Sequence, residues 1–212
     1  MPRQVRANPL ALAVLVTLYE RPMHPYEVAQ TLRQRAKHES VRLNYGSLYA
    51  VVEGLERRGL ITARETVREG KRPERTVYEI TEAGSREMID WMTELIGAPT
   101  KEYPAFLAAL SFLAALAPED ALEALRTRAD AVTFHLAGIR GGMRAARDVG
   151  LPRLFGLEGE YEERLLEAEL QFITELVKDI ASGDLDGLEL WHSFHTGGAN
   201  PPEGVMYRPS TA

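Results

Sequence analysis

Cysteine is missing from this chain, which excludes disulfides, thiolate metal sites and thiol catalysis. Also missing are a Ser/His/Asp set, a phosphate-cradling loop and a nucleotide fingerprint, so nothing points to an enzyme or to a cofactor. The N-terminal apolar run, Leu10 to Leu18, has nine residues and falls far short of the ~20 that a membrane span requires. Arg3 and Arg6 ahead of it imitate a secretory signal, but Tyr19-Glu20-Arg21-Pro22 follows where a small-x-small cleavage site would stand. The expectation is a buried first helix in a cytoplasmic protein. What the chain does have is 212 residues, enough for one large domain or two small ones, with 45% apolar residues to build a core.

The net charge of −6 conceals two unlike halves. Residues 1–75 carry 14 Lys and Arg against 8 Asp and Glu, whereas the remainder carries 11 against 23. An excess of cations in one half is the composition of a segment that meets a polyanion.

Local signals in the basic half spell out an order of elements. Asn8 and Pro9 open a helix to about Tyr19, and His24-Pro25 opens a second, through about Lys37. Asn44 caps a third, which ends at Arg58-Gly59 with glycine just past its last turn. Two β-prone runs follow, Leu60 to Val67 and Thr76 to Ile80, separated by the charged turn Arg68-Glu69-Gly70-Lys71-Arg72-Pro73. Thr81 then caps a helix running to about Ile96. Helix, helix, helix, strand, wing, strand, helix is the winged helix-turn-helix order, an α+β unit in a mainly α protein.

Gly97-Ala98-Pro99 reads as a hinge, and everything beyond it reads as helical: Phe106–Ala117, Pro118 to about Val149, and Tyr161 to Ser182, with a linker over 150–159. Leu122, Leu125, Ala129, Val132, Leu136, Ile139, Met143 and Ala146 repeat at alternating intervals of three and four, a continuous apolar seam that one helix cannot bury alone. It requires a neighbouring helix, from this chain or from a second subunit. The dimerisation candidates are Leu122, Leu125, Val132, Leu136 and Ile139, with Leu166 and Leu170 on the last helix. The expected domains are therefore 1–97, DNA-binding; 98–183, helical dimerisation and effector; and 184–212, a polar, Gly/Pro-rich flexible tail.

Placed on a helical wheel, Leu48, Val51, Val52 and Leu55 share the inward face of the third helix. Gly46, Tyr49, Ala50, Glu53 and Arg57 lie opposite, with Asn44, Tyr45 and Ser47 at or near its start. Small residues on the outward face let a helix backbone lie close to a groove floor, and hydroxyls there suit phosphates or base edges. Arg68, Lys71 and Arg72 at the wing tip suit flanking phosphates or the minor groove. Each has a plain alternative: half-buried packing for the tyrosines, a solvated turn for the cations. Met88, Trp91, Met92 and Leu95 line either an apolar effector pocket or interdomain core. His192 and His195, with Glu189 and Asp186, have metal-like spacing but read as solvent-exposed bystanders, and no metal is expected.

These motifs resemble the PadR family of bacterial transcriptional regulators. His24-Pro25-Tyr26-Glu27-Val28 is similar to that family's Gly-Tyr-Glu-Ile segment, and Gly46-Ser47-Leu48-Tyr49 with Leu55 and Gly59-Leu60-Ile61 is similar to its central signature. Val77-Tyr78-Glu79-Ile80-Thr81-Glu82-Ala83-Gly84 resembles the stretch that closes its wing, and Ala168-Glu169-Leu170, less specifically, its dimerisation helix. The resemblance implies a homodimer, usually a repressor, released from operator DNA by a small ligand or other signal. It also implies that Tyr26, Ser47, Tyr49 and the wing cations touch DNA. The chain departs from the pattern at Glu53-Gly54, where basic residues are usual. Glu53 either accepts from a cytosine or is held away from the phosphates. The alternative from another class is a helical interaction or ligand-binding module whose winged domain docks protein.

Overall fold

The computed structural model describes residues 8–67, 75–99 and 101–196. The chain divides between Glu102 and Tyr103 into two compact units.

The first unit is built on three short helices whose starts are each fixed by a side chain. In α1 (Pro9–Glu20) the Asn8 carboxamide accepts from the Leu10 N–H at 3.1 Å. In α2 (Pro25–Gln34) the His24 ring accepts from the Tyr26 N–H while the Glu27 carboxylate accepts from the His24 N–H, a reciprocal capping box. In α3 (Tyr45–Arg57) the Asn44 carboxamide accepts from the Ser47 N–H at 2.7 Å. Helix α2 stops short of Lys37 because Ala36 takes a left-handed conformation, φ +54°.

Val14 and Leu15 of α1, Val28 and Ala29 of α2, and Leu48, Val52 and Leu55 of α3 meet in one core, with Ile61, Met88 and Trp91. Strands β1 (Ile61–Val67) and β2 (Arg75–Ile80) pair antiparallel, Ile61 opposite Ile80 and Ala63 opposite Tyr78, with a bulge between Ala63 and Glu65. Met23, ahead of α2, adds a bridge to Tyr78, each N–H donating to the other's carbonyl at 3.0 Å. The wing is thus pinned to the turn that precedes α2. Helix α4 (Glu82–Gly97) starts at Thr81, whose hydroxyl accepts from the Gly84 N–H and donates to the Gly59 carbonyl.

The second unit is helical. It comprises α5 (Ala105–Leu110), a 3₁₀ turn over 113–115, α6 (Pro118–Asp148), a 3₁₀ turn over 153–156, α7 (Leu157–Ser182) and α8 (Leu188–His195). The continuous helix expected over 106–117 is broken. Ala117 is extended, as the residue before Pro118 is biased to be, and Leu113 turns in to pack on the unit's own core. Helix α7 starts earlier than expected, with Glu158 and Glu160 in its first turn and Glu160 gripped by both Arg153 and Arg164.

Two expectations need correction here. Residues 188–195 are not tail but helix α8. It is delimited by Gly183 and Gly187, both at φ +83°, and Leu188 and Trp191 are buried among Ala121, Leu125 and Ile180. Trp191 Nε1 donates to the Leu116 carbonyl at 2.8 Å. Eight residues are too few to hold a helix in isolation, whereas burying a tryptophan removes enough apolar area to contribute about 4 kcal/mol. Packing therefore makes this helix.

The apolar seam is the second. Leu125, Val132 and Leu136 are 3%, 7% and 3% exposed within the subunit, so the hairpin of α6 and α7 has already buried them and they offer no face to a partner. Leu122, Ile139, Leu166 and Leu170 remain half-buried. Cross-helix ion pairs, Arg128 to Glu169 at 2.6 Å and Arg140 to Glu163 at 2.7 Å, set the hairpin's register. Being partly exposed, these pairs contribute little to stability, and the buried side chains hold the helices together.

Candidate nucleic-acid interface

Helix α3 has two unlike faces. Leu48, Val52 and Leu55 complete the core, with Val51 packed against it, while Tyr45, Gly46, Ser47, Tyr49, Ala50, Glu53 and Arg57 are exposed, as is Asn44 at the cap. The Asn44 carboxamide is engaged by its own helix, which makes capping its first role. The Tyr78 hydroxyl of β2 lies near the Glu56 and Glu53 carboxylates of α3. Burial pushes the Tyr78 hydroxyl above its ordinary range, and the Glu56 and Glu53 carboxylates push the same way.

An aromatic cluster lies at the start of α3. Tyr26 and Tyr45 stack with their rings 10° from parallel and centroids 6.2 Å apart, and the Arg33 guanidinium lies 4.6 Å from the centre of the Tyr45 ring. Arg33 Nη1 donates to the Tyr45 hydroxyl at 2.5 Å, and Gln30 Nε2 donates to the Tyr26 hydroxyl at 3.3 Å. His24 meets Tyr49 edge-on at 6.5 Å. Tyr45 is therefore held in a stack on α2. Sequence reasoning missed Arg33, Gln30 and His24, although Tyr26, Gln30 and Arg33 stand at i, i+4 and i+7, one face of a helix.

Arg68, Lys71 and Arg72 lie outside the described residues. The set suggested for an effector pocket is split: Met88 and Trp91 belong to the core of the first unit, while Met92 and Leu95 are exposed. Trp91 Nε1 is buried with no hydrogen-bond partner among the described residues. His192 lies 3.7 Å from Glu119, and His195 contacts the Ala114 carbonyl at 3.0 Å. Among the described residues no cluster of three or more His, Asp or Glu has the arrangement of a metal site, and no helix is long and apolar enough to cross a membrane.

Three helices, a capped third helix with a bare outer face and a two-stranded wing occupy the span that matches the transcriptional regulator PadR-like family, residues 14–90. The matched span lies within the N-terminal unit. The resemblance extends to the fold of the longer chain. Bacillus subtilis PadR in complex with operator DNA aligns with a TM-score of 0.68 and 17% identity, over 82% of this chain and 99% of its own. The same B. subtilis protein in complex with p-coumaric acid gives 0.65 at 15% identity, over 81% and 98%. The Vibrio cholerae virulence activator AphA gives 0.63 at 18%, over 82% and 98%. No curated protein matches the chain. The PadR-like winged helix and a C-terminal helical region thus make up the fold, and the interface candidates Ser47, Tyr49 and Glu53 lie inside the PadR-like span.

Proposed function

We propose that this protein is a sequence-specific, DNA-binding transcriptional regulator. The observation that carries the reading is the outward face of α3: small and hydroxyl-bearing residues left bare by a helix whose opposite face completes the core. A helix in that state, beside a wing, is built to enter a major groove. The protein acts as a homodimer, a ligand-responsive repressor on a pseudo-palindromic operator, with its two recognition helices in successive grooves about 34 Å apart. Support for dimerisation comes from Phe134 on α6 and Leu165 and Phe172 on α7, large apolar residues left exposed by the hairpin, together with the half-buried Leu122, Ile139, Leu166 and Leu170. The exposed Met92 and Leu95 on α4 are the remaining candidates for effector contact. Such a protein works in the cytoplasm, on double-stranded DNA, without a cofactor.

The test is selection of bound duplexes from random DNA, followed by a salt series on the recovered sequence. A DNA reader yields a two-fold symmetric motif and a log affinity that falls linearly with log salt. Failure to enrich any motif, with no salt-dependent binding, rejects the reading and favours the protein-docking alternative that the acidic C-terminal half allows.

Glu53 offers a sharper question. It is exposed on the same face as Tyr49 and Ala50. Glu53→Gln should change the preferred base at one position of the motif if the carboxylate accepts from cytosine, a discrimination of about 1–3 kcal/mol. If the carboxylate is merely repelled, the variant binds every sequence more tightly by a common factor. Unchanged preference with unchanged affinity would place Glu53 away from the duplex.

A further inference from the structure

Arg33 is an exposed cation with no carboxylate partner among the described residues. Some exposed arginines are neutralised by carboxylates, as Arg35 is by Glu20, Arg58 by Glu87 and Arg86 by Glu82, whereas others, such as Arg42, Arg126 and Arg144, have no carboxylate partner among the described residues and no ring to hold them. Arg33 is instead held against an aromatic ring, with one N–H given to the Tyr45 hydroxyl. That leaves most of a five-donor fork available, already fixed in direction.

The tyrosines around it are arranged to the same end. The Tyr45 oxygen accepts from Arg33 and the Tyr26 oxygen accepts from Gln30. A hydroxyl that accepts one bond still has its own hydrogen to donate. The stack therefore presents donors from Arg33, Tyr45 and Tyr26 within one exposed patch, and no carboxylate belongs to it. A patch of ordered donors and one uncompensated cation suits an anion with several acceptor oxygens.

Resting on the DNA-binding reading above, we infer that Arg33 and Tyr26 of α2, with the hydroxyl of Tyr45 at the start of α3, form a clamp for one backbone phosphate of the operator. Tyr45 then serves the phosphate and not a base, because its ring is engaged by the stack at the edge of α3. Tyr49, Ala50 and Ser47 remain the residues free to face base edges. Because the side chain is already ordered by the ring, less rotamer freedom is lost on binding than for an unanchored arginine.

The test uses the full-length protein and a duplex recovered by selection, with affinity measured over a range of KCl concentrations. For Arg33→Gln we expect about a tenfold loss at low salt, a slope of log affinity against log salt reduced by about one, and an unaltered base motif. Arg33→Lys should restore the slope but not the full affinity, since it keeps the charge and loses the planar fork. Tyr45→Phe should weaken binding with the slope unchanged. A contribution through folding alone would lower affinity without moving the slope. The inference is overturned if Arg33→Gln keeps the parent slope, or if it changes the motif, which would make Arg33 a base reader. Inorganic phosphate added at constant ionic strength should not compete. If it does, the site takes the free anion and the DNA assignment is wrong. If the unaltered protein itself shows no salt-dependent binding, the DNA-binding reading falls, a result distinct from a failure of Arg33→Gln in a protein that binds.

Discussion

Ala50→Glu should abolish specific DNA binding while leaving the protein folded. Ala50 is exposed near the middle of the outward face of α3, one residue from Tyr49 and one turn from Glu53. A second carboxylate there would face the phosphates without a counter-charge, and like-charge juxtaposition across an interface costs several kcal/mol. At about 1.4 kcal/mol per decade, the affinity for the selected duplex should fall at least ~100-fold. Folding should be nearly untouched, because exposed substitutions away from caps and cores usually change stability by less than about 0.5 kcal/mol. Titration of the selected duplex, paired with thermal unfolding by circular dichroism, separates the two effects. Ala50→Lys is the control: a side chain of similar length and opposite charge should bind better than the glutamate variant, and the excess should shrink as salt is raised. Parent-like affinity in Ala50→Glu would mean that this face of α3 does not approach the duplex, and the proposed function would lose its principal support.

Among the described glycines, Gly84 is the one where an added methyl group meets backbone, and Gly84→Ala should cause a large loss of stability. A Cβ at Gly84 would sit 2.0 Å from the Leu60 carbonyl oxygen, 2.9 Å from its carbon and 2.8 Å from Ile80 Cγ1. The Leu60 carbonyl cannot easily withdraw, because it accepts from the Thr81 N–H at 3.0 Å and leads directly into β1. Relieving the clash means moving the start of α4 away from the strand pair, and with it the geometry that links wing to recognition helix. Overpacking of this kind costs about 1–3 kcal/mol, and more where backbone must shift. The better helix propensity of alanine returns at most about 1 kcal/mol. A net loss of about 2 kcal/mol corresponds to a melting temperature lower by roughly 8–16 °C for a domain of this size. Gly54→Ala makes the contrast, since a Cβ there meets nothing within 4 Å and the site is inside α3. That variant should gain about 0.5–1 kcal/mol. Equal melting temperatures for the two variants would show that the approach at Leu60 is not tight in solution.

Much of the first unit was legible in the residues because its information is local. Asn8, His24, Asn44 and Thr81 each accept a backbone N–H within three residues of themselves, and Pro9 and Pro25 preset the first turn. Leu48, Val52 and Leu55 recur at the helical period, so the buried and bare faces of α3 followed from spacing alone. The bounds of α2, α5 and α7 are not legible in the same way, because they depend on a left-handed Ala36, on the restriction Pro118 imposes and on the Arg153–Glu160–Arg164 pairing.

The sequence by itself determined the order of elements, the polarity of α3 and the division into a basic first part and an acidic remainder, all of which rest on neighbours within a turn or two. Tertiary structure alone decided three things: that α8 exists, that Leu125, Val132 and Leu136 are buried within their own subunit, and that Arg33 reaches Tyr45. Each depends on a contact between residues distant in sequence: Trp191 with Leu116, α6 with α7, Arg33 with a ring twelve positions on. Periodicity reports that a face is apolar or polar. It carries no information on which surface will cover that face, because that choice is made by chain segments brought together only on folding.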